Sequence, residues 1–321
     1  MKRTILSVEI GGTKLQLALG SPEGEILDII RGEVDVNLGG QGIRDWLLNH
    51  IPEFINTHEK SGASVRAIAC GFGGPLNKHE GRVLRSIQIK GWEGFPIQNW
   101  FEEAFGRPTM VENDTNAAAW GEFRKGFGQG CQHFFYTNLG SGVGGGFIFN
   151  GQLFDGQGFG AGEFGHTYVP DWTSVQAGRP AQIEQLCSGW AIENRLQSPG
   201  YLPDDSDLYQ CFSGKLSEIS CKDLADSGKR GDQFALDEID RIAQSLGIGL
   251  ANVINLTNLE RIAIGGGVAK MGDLLIDPIR KYTREYVFMS SRDRYEIQRC
   301  ELGDEIVLIG AILLAKETFM I

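Results

Sequence analysis

Short apolar runs separated by glycines open the chain and predict a strand-rich beginning. Three of these runs are predicted to be strands: residues 4–10, 14–19 and 25–34. Gly11-Gly12 provides the turn between the first two. Apolar side chains then recur at helical spacing over 43–58. A further strand-like run, 65–70, leads directly into the glycine-rich segment 71–75.

The same order of strand, turn and helix returns later in the chain. A short strand over 109–112 ends at Asn113-Asp114, where a helix is predicted to begin with Asp114 or Thr115 as its N-cap. Further strands are predicted at 133–139, 147–149 and 261–264, and further helices at 234–256 and 306–319. The repeated order predicts an α/β protein of two lobes with a cleft between them.

Length, charge and cysteine content narrow the class of protein. The 321 residues suffice for two domains, and 41 acidic against 30 basic residues give a net charge of −11. A basic nucleic-acid surface is therefore not expected, and a first strand at residue 4 argues against an N-terminal helix-turn-helix. No apolar stretch suits a signal peptide or a membrane span, and the six scattered cysteines suit a reducing compartment. We expect a cytoplasmic protein without a membrane or nucleic-acid partner.

Glycine is unusually abundant, and its 45 residues are clustered. The clusters lie at 11–12, 71–74, 140–146, 156–165 and 265–267, and each follows or interrupts an apolar run. Clusters of this kind indicate a backbone that approaches a ligand closely in several places.

One cluster has the chemistry of a phosphate-binding turn. After a strand that ends in the carboxylate of Glu9, the chain presents Gly11, Gly12, the Thr13 hydroxyl and the Lys14 cation. Glycine N–H groups and a hydroxyl can bind phosphate oxygens. Taken alone, the segment is explained equally well as a plain hairpin turn.

The longest cluster, Gly140–Gly146, formally contains the G-x-G-x-x-G pattern of dinucleotide-binding folds. In those folds the pattern opens a helix, whereas here a strand resumes at Phe147. A second glycine hairpin is therefore predicted, which could clamp a triphosphate against the first; a surface loop is the weaker alternative.

Gly265-Gly266-Gly267 would either let a flat ring lie against the backbone or form a tight strand-to-helix turn.

Polar residues beside the glycine clusters are candidates for chemistry. Asp114 lies at a strand end, where a carboxylate could accept the proton of an attacking hydroxyl, although position alone favours an ordinary helix cap. Glu163 and His166 could hydrogen-bond adjacent hydroxyls of a polyol. Glu184 is explained equally well as a solvated helix residue.

Together, these motifs resemble those of the ROK family of sugar kinases and sugar-responsive repressors, in the same order along nearly the whole chain. The matching segments are Glu9–Lys14 (the family's D-x-G-G-T-K), Gly71–Pro75, Gly91-Trp92, Val111–Glu122 (VENDTNAAAWGE), Leu139–Gly146, Gly160–His166, Ile183–Gly189 and Ile264–Val268.

The resemblance implies an actin-like ATPase (ribonuclease H-like) fold. One lobe would comprise residues 1–115 completed by the helix at 303–321, and the nucleotide-binding lobe residues 116–302. Asp114 would be the general base. Sugar contacts are implied for Asn113, Glu163, His166, Glu184 and Gly74. ATP contacts are implied for Gly11, Gly12, Thr13, Lys14, Gly140, Ser141, Gly142, Gly144, Gly265, Gly266 and Gly267. Mg²⁺ would be bound through the phosphates, with Glu9 as its protein ligand, and a homodimer would be in keeping with the family.

The sequence departs from the family pattern at two places. Glu9 stands where the family usually has aspartate, and its extra methylene carries the carboxylate further toward the phosphates. The family's C-x-C-G-x-x-G-C cluster is missing, because the stretch from 169 to 182 contains no cysteine. We therefore expect no structural zinc.

The motifs favour an ATP-dependent kinase that phosphorylates a glucose-like hexose. A catalytically weakened sugar-binding sensor of the same fold, an N-acetylhexosamine kinase and a polyphosphate-using kinase are the alternatives.

Overall fold

The computed structural model describes residues 2–12, 14–35, 37–86, 89–160, 162–176, 178–212 and 215–321. Over these residues the chain is mixed α/β. The strands are β1 (Lys2–Ile10), β2 (Lys14–Gly20), β3 (Ile26–Glu33), β4 (Ala63–Phe72), β5 (Leu76–Asn77), β6 (Arg82–Val83), β7 (Thr109–Asn113), β8 (Phe134–Leu139), β9 (Val143–Phe149), β10 (Gln152–Leu153), β11 (Tyr168–Pro170), β12 (Pro180–Gln182), β13 (Arg261–Gly265) and β14 (Glu296–Arg299). The helices are α1 (Gly39–Lys60), α2 (Ile97–Phe105), α3 (Asp114–Lys125), α4 (Ile183–Cys187), α5 (Gly189–Leu196), α6 (Asp207–Phe212), α7 (Cys221–Arg230), α8 (Gln233–Thr257), α9 (Asp273–Tyr286) and α10 (Ile306–Phe319).

The first sheet brings three parallel strand ends to one edge. Its order is β3-β2-β1-β4-β7, with β1, β4 and β7 parallel and β2 antiparallel to β1. The register sets Ile10 opposite Phe72, and Phe72 opposite Asn113. The glycine turn after β1, the glycine segment after β4 and Asn113-Asp114 therefore share the carboxyl edge, where ligands of open α/β sheets commonly bind.

Side-chain alternation on β1 explains which helices cover this sheet. Residues of one face belong to a core that α1 completes: Leu6, Val8, Ile10, Ile43, Leu47 and Ile51, all buried. On the opposite face the Ser7 hydroxyl donates to the carbonyl of Leu308 in α10, 3.0 Å away. Glu9, two residues after Ser7, therefore faces the side of the sheet that α10 covers.

Helices α3 and α10 cross at two glycines. A Cβ on Gly310 would lie 1.7 Å from the carbonyl oxygen of Ala117, and a Cβ on Gly121 would lie 2.9 Å from that of Ile306. Only residues without a side chain let the two helices approach this closely. The crossing fixes α3, which begins at Asp114.

The second sheet has the order β10-β9-β8-β13-β14, in which β13 is parallel to both β8 and β14. The sequence placed the glycines before a strand at 147–149, but β9 begins at Val143 and includes Gly144, Gly145 and Gly146. Close packing explains two of these glycines, since a Cβ on Gly145 would lie 2.6 Å from the carbonyl oxygen of Gly162 and one on Gly146 would lie 2.6 Å from Cβ of Ala119.

The chain divides into two compact units. Unit 1 comprises Met1–Gln129, Gly146–Ala161 and Leu302–Ile321, and unit 2 comprises Gly130–Gly145 and Gly162–Glu301. The lobe boundaries expected from the family resemblance, 1–115 with 303–321 and 116–302, stay a prediction. None of the helices among the described residues has the length and apolarity needed to cross a bilayer.

Candidate active site

The turn after β1 presents a buried carboxylate beside two glycines. Glu9 is 5% exposed, and its Oε2 accepts a hydrogen bond of 3.1 Å from Nε2 of Gln16, the residue directly opposite it on β2. The turn is closed by the Gly11 N–H, which donates to the Lys14 carbonyl at 2.8 Å. Gly12 lies within this turn. Thr13, predicted to contact ATP, lies outside the described residues.

Burial raises the pKa of Glu9 to about 7. Lys14 opposes this rise, and Asp114 adds to it, as do two carboxylates just before α10. Near neutral pH the Glu9 side chain is therefore partly protonated.

Asp114 begins α3 but does not cap it, contrary to the sequence prediction of Asp114 or Thr115 as N-cap. The cap is Asn113, whose Oδ1 accepts from the backbone N–H groups of Thr115 and Asn116, both at 3.0 Å. Oδ1 of Asp114 accepts from the backbone N–H of Thr115 at 2.7 Å. The Asn113 amide also donates to the Gly74 carbonyl at 3.2 Å, so these two predicted sugar contacts are joined.

Gly73 brings the first glycine turn and Asp114 together. Its N–H donates to the carbonyl of Ile10 at 2.8 Å. A Cβ at this position would lie 3.2 Å from Oδ2 of Asp114 and 3.3 Å from Cα of Gly11. A side chain here would crowd the Asp114 carboxylate, so glycine keeps the space beside it open.

The second glycine hairpin, between β8 and β9, is tightly held. The Gly140 N–H donates to the Gly142 carbonyl at 2.9 Å, and Ser141 lies between them at the tip. The N–H of Val143 donates to Oε2 of Glu184 at 2.8 Å. Glu184, predicted to contact the sugar, thus has one oxygen engaged with the hairpin.

The glycines after β13 adjoin the same hairpin within unit 2. A Cβ on Gly266, whose φ is +90°, would lie 2.4 Å from the carbonyl oxygen of Leu139. A Cβ on Gly265 would lie 2.3 Å from Oη of Tyr136, whereas Gly267 faces open space. The N–H of Gly189, at the start of α5, donates to the Gly140 carbonyl at 2.7 Å. Three glycine-containing segments therefore meet here.

Glu163 lies just before a short 3-10 turn of unit 2, and His166 lies within that turn. Their side chains are 58% and 45% exposed, and Oε2 of Glu163 lies 4.0 Å from Nε2 of His166. The Glu163 carboxylate can accept hydrogen bonds from a polyhydroxylated ligand, and the His166 imidazole can accept or donate them.

The predicted site residues form two groups, one in each unit. Unit 1 brings together Glu9, Gly11, Gly73, Asn113 and Asp114. Unit 2 gathers the second glycine hairpin with Glu184 and the turn after β13. Sequence reasoning missed Gln16, and it included Gly73 only as a member of the glycine cluster 71–74. A signal for Gln16 was available, because it is the one polar residue of the run 15–19 and the hairpin register sets it opposite Glu9.

The oxygen atoms at Glu9 suit magnesium. Oε1 of the buried Gln16 has no hydrogen-bond partner among the described residues. Mg²⁺ takes oxygen ligands and is usually bound by one or two carboxylates together with substrate phosphates. The Glu9 carboxylate and this amide oxygen are ligands of that type.

The segment expected to lack zinc is held by other contacts. Strands β11 and β12 pair with Val169 opposite Ala181. Nε1 of Trp172, in the connecting loop, donates to Oγ of Ser245 at 2.9 Å, and the Arg195 guanidinium carbon lies 4.8 Å from the centre of the indole ring. No group of three or more His, Cys, Asp or Glu side chains within the described ranges is arranged to bind a metal ion.

We expect a chelator to leave the melting temperature unchanged, while Trp172→Ala lowers the free energy of unfolding by about 2 kcal/mol through lost packing and cation–π contact. Thermal melts with and without chelator, with metal analysis after dialysis, test both points. The exposed Trp190 (64% exposed) provides the matched control, since Trp190→Ala should change stability little. A full equivalent of zinc per chain, with a chelator-sensitive melt, would contradict the expectation.

Comparison with known proteins identifies the family. The "ROK family" model matches residues 5–318. A glucokinase of Halalkalibacterium halodurans is 32% identical over 319 residues, covering 98% of this chain and 96% of that protein. A ROK family glucokinase from Streptomyces griseus, solved with glucose and AMPPNP, has a TM-score of 0.83 at 31% identity, covering 98% of this chain and 99% of that one. A ROK family transcriptional regulator, homologous to the E. coli MLC protein, has a TM-score of 0.84 at 26% identity and covers 98% of this chain and 78% of that one.

These similarities confirm the actin-like ATPase fold that the motif order implied. Both kinases and a regulator share it, so the fold by itself does not separate catalysis from sensing. The match over residues 5–318, with a full-length relative at 32% identity, shows that the chain belongs to the ROK family.

Proposed function

We propose that this protein is a cytoplasmic, ATP-dependent hexose kinase that acts on glucose or a closely similar sugar. The observation that carries the proposal is the position of Asp114 at the carboxyl edge of the first sheet, where a Cβ on Gly73 would lie 3.2 Å from Oδ2 of Asp114 and 3.3 Å from Cα of Gly11. The similarity to glucokinases, one of them bound to glucose and AMPPNP, supports the substrate class.

In the proposed reaction Asp114 accepts the proton of the attacking sugar hydroxyl. The hydroxyl oxygen bonds to the γ-phosphorus of ATP while the bond from that phosphorus to the bridging oxygen of ADP breaks. Oδ1 of Asp114 is oriented by the Thr115 N–H, which holds the carboxylate as a rigid acceptor. Glu9 and Gln16 would hold Mg²⁺, which would neutralise charge on the phosphates when bound.

The remaining predicted residues take binding roles. The proposed sugar contacts are Gly74, Asn113, Glu163, His166 and Glu184. For Glu184 the contact would use Oε1, because Oε2 accepts from Val143. The glycine hairpins and the turn after β13 would bind the phosphates and adenosine through backbone N–H groups and open space.

Purified protein should form ADP only when MgATP and a suitable hexose are both present, with glucose or a near relative the best substrate in a panel that includes mannose, fructose, allose and N-acetylated hexosamines. The assay measures ADP by a coupled reaction and repeats the best sugar with polyphosphate as donor. Turnover restricted to N-acetylated sugars would overturn the substrate class, and phosphorylation with polyphosphate alone would overturn the donor.

A sugar-binding sensor is the second candidate, favoured by the raised pKa of Glu9, which leaves the carboxylate that would bind Mg²⁺ partly protonated near pH 7. Calorimetric sugar binding without turnover across the panel would favour the sensor over the kinase.

The stability of the wild type should fall relative to Glu9→Gln as the pH rises. A carboxyl group with a raised folded-state pKa stabilises the fold fully below its unfolded value of 4.5, and that contribution is lost as the pH rises through about 7. The complete shift corresponds to roughly 3 kcal/mol. Urea denaturation at about pH 5 and pH 8 measures the difference.

Glu103→Gln, at an exposed position of α2, provides the matched control and should show no such trend. If the difference between Glu9→Gln and wild type were the same at both pH values, Glu9 would not titrate in this window.

A further inference from the structure

Lys78 lies between two carboxylates in unit 1. Its Nζ is 2.5 Å from Oε2 of Glu112 and 2.8 Å from Oδ2 of Asp155. The Glu112 side chain is 3% exposed and that of Lys78 is 27% exposed. A carboxylate buried to this extent needs a cation or several hydrogen bonds to stay ionised, and Lys78 is the cation that contacts it.

The other oxygen of Glu112 is bonded to the beginning of α3. Oε1 accepts from the backbone N–H of Asn113 at 2.9 Å and from the side-chain amide of Asn116 at 3.1 Å. Glu112 therefore uses one oxygen for Lys78 and the other for the turn that presents Asn113 and Asp114. A movement of this carboxylate would move the turn.

Lys78 is itself fixed from two directions. Its backbone N–H donates to the Gly158 carbonyl at 3.1 Å, and Asp155 holds its ammonium group. Residues 155–158 lie in the segment that follows β10, so the lysine joins this segment to the β5–β6 hairpin. These contacts fix the position of Nζ, so Lys78 does not behave as a flexible surface side chain.

The ionisation of Glu112 depends on the charge of Lys78. Burial raises the pKa of Glu112, and Lys78 opposes that rise. Asp155, the other charged group facing the pair, pushes the Glu112 pKa upward. Without the lysine, the effect of burial on the Glu112 pKa would no longer be opposed by this cation. A larger fraction of Glu112 would then be protonated, and one oxygen of the protonated group would change from acceptor to donor.

We propose that Lys78 is a positioning residue, which acts through Glu112 to hold the Asn113-Asp114 turn in its working geometry. The role of this turn in catalysis rests on the proposed function, but the physical link from Lys78 to the turn does not. Lys78 contacts neither sugar nor ATP in this scheme.

The test compares Lys78→Met, Lys78→Arg and the double variant Lys78→Met/Glu112→Gln with wild type. Lys316→Met, on α10 and 37% exposed at its side chain, is the matched control. Hydrogen–deuterium exchange of a peptide covering 112–117 reads the turn directly and needs no activity. The pH profile of kcat reads its consequence.

Lys78→Met should speed exchange in 112–117 near pH 7 and lower kcat by roughly 10- to 100-fold, the size expected when a reacting group is misplaced. The loss should shrink as the pH rises and Glu112 ionises again. Lys78→Arg should behave like wild type because it keeps the charge. In the double variant the neutral glutamine can still accept from Asn113. Because glutamine does not titrate, the pH shift should disappear.

Two outcomes would overturn the proposal. If Lys78→Met lowered only the melting temperature, with exchange in 112–117 and the pH profile unchanged, the lysine would be purely structural. If the double variant kept the full catalytic defect and its pH shift, Lys78 would not act through Glu112. Should Lys78→Met fail to fold, the double variant still decides, since it also removes the buried carboxylate of Glu112. Absence of kinase activity in wild type would reject the proposed function but leave the exchange result interpretable.

Discussion

Replacing Asp114 with asparagine is expected to lower kcat by roughly 10²–10⁴-fold, the usual contribution of a general base. The amide keeps the shape of the side chain and can still accept from the Thr115 N–H, but it cannot take up the proton of the sugar hydroxyl. Sugar affinity should change much less than kcat. Steady-state kinetics and titration calorimetry with the same sugar measure the two quantities separately.

Asp273→Asn is the matched control, because Asp273 is an exposed aspartate in the first turn of α9, as Asp114 is the aspartate in the first turn of α3. The control should retain wild-type kcat. An Asp114→Asn variant with near-normal kcat would remove Asp114 as the base.

Gly310→Ala is expected to be the most destabilising single-methyl change in unit 1. The new Cβ would lie 1.7 Å from the Ala117 carbonyl oxygen and 2.5 Å from its carbon, both of them backbone atoms that cannot rotate away. Overpacking costs typically about 1–3 kcal/mol and occasionally more, and a backbone clash of this depth should reach about 3 kcal/mol. The free energy of unfolding from urea denaturation measures it.

The same change should also reduce activity per folded molecule, because separating α10 from α3 shifts the helix that begins at Asp114. Thr318→Ala, on an exposed part of α10, is the control and should alter stability by no more than about 0.5 kcal/mol. Wild-type stability in Gly310→Ala would mean that the helices are further apart than the structure has them.

Local patterns predicted most elements that build the site. The closing helix was expected at 306–319 and is observed at Ile306–Phe319, and the second strand, expected at 14–19, is observed at Lys14–Gly20. Apolar periodicity and glycine turns determine such elements from neighbouring residues alone.

The helix cap could not be predicted uniquely from the sequence. Asparagine, aspartate and threonine are all good N-caps, and Asn113, Asp114 and Thr115 stand in a row. The structure decides for Asn113, whose side chain accepts from the backbone N–H groups of Thr115 and Asn116.

The ion cluster at Glu112 had no local signal. Lys78 is 34 positions from Glu112, and Asp155 comes from a third segment beyond it. Only the assembled fold brings them together, so no spacing rule could find them. The same holds for Glu184, whose hydrogen bond to Val143 spans 41 positions.

The most direct test of the proposed function is the stoichiometry of a single reaction followed by phosphorus NMR, with purified protein, MgATP and glucose. The kinase account predicts one glucose phosphate for each ADP, no inorganic phosphate beyond background, and loss of both products in Asp114→Asn. Bound glucose with unchanged ATP, or ADP accompanied by inorganic phosphate instead of sugar phosphate, would contradict it.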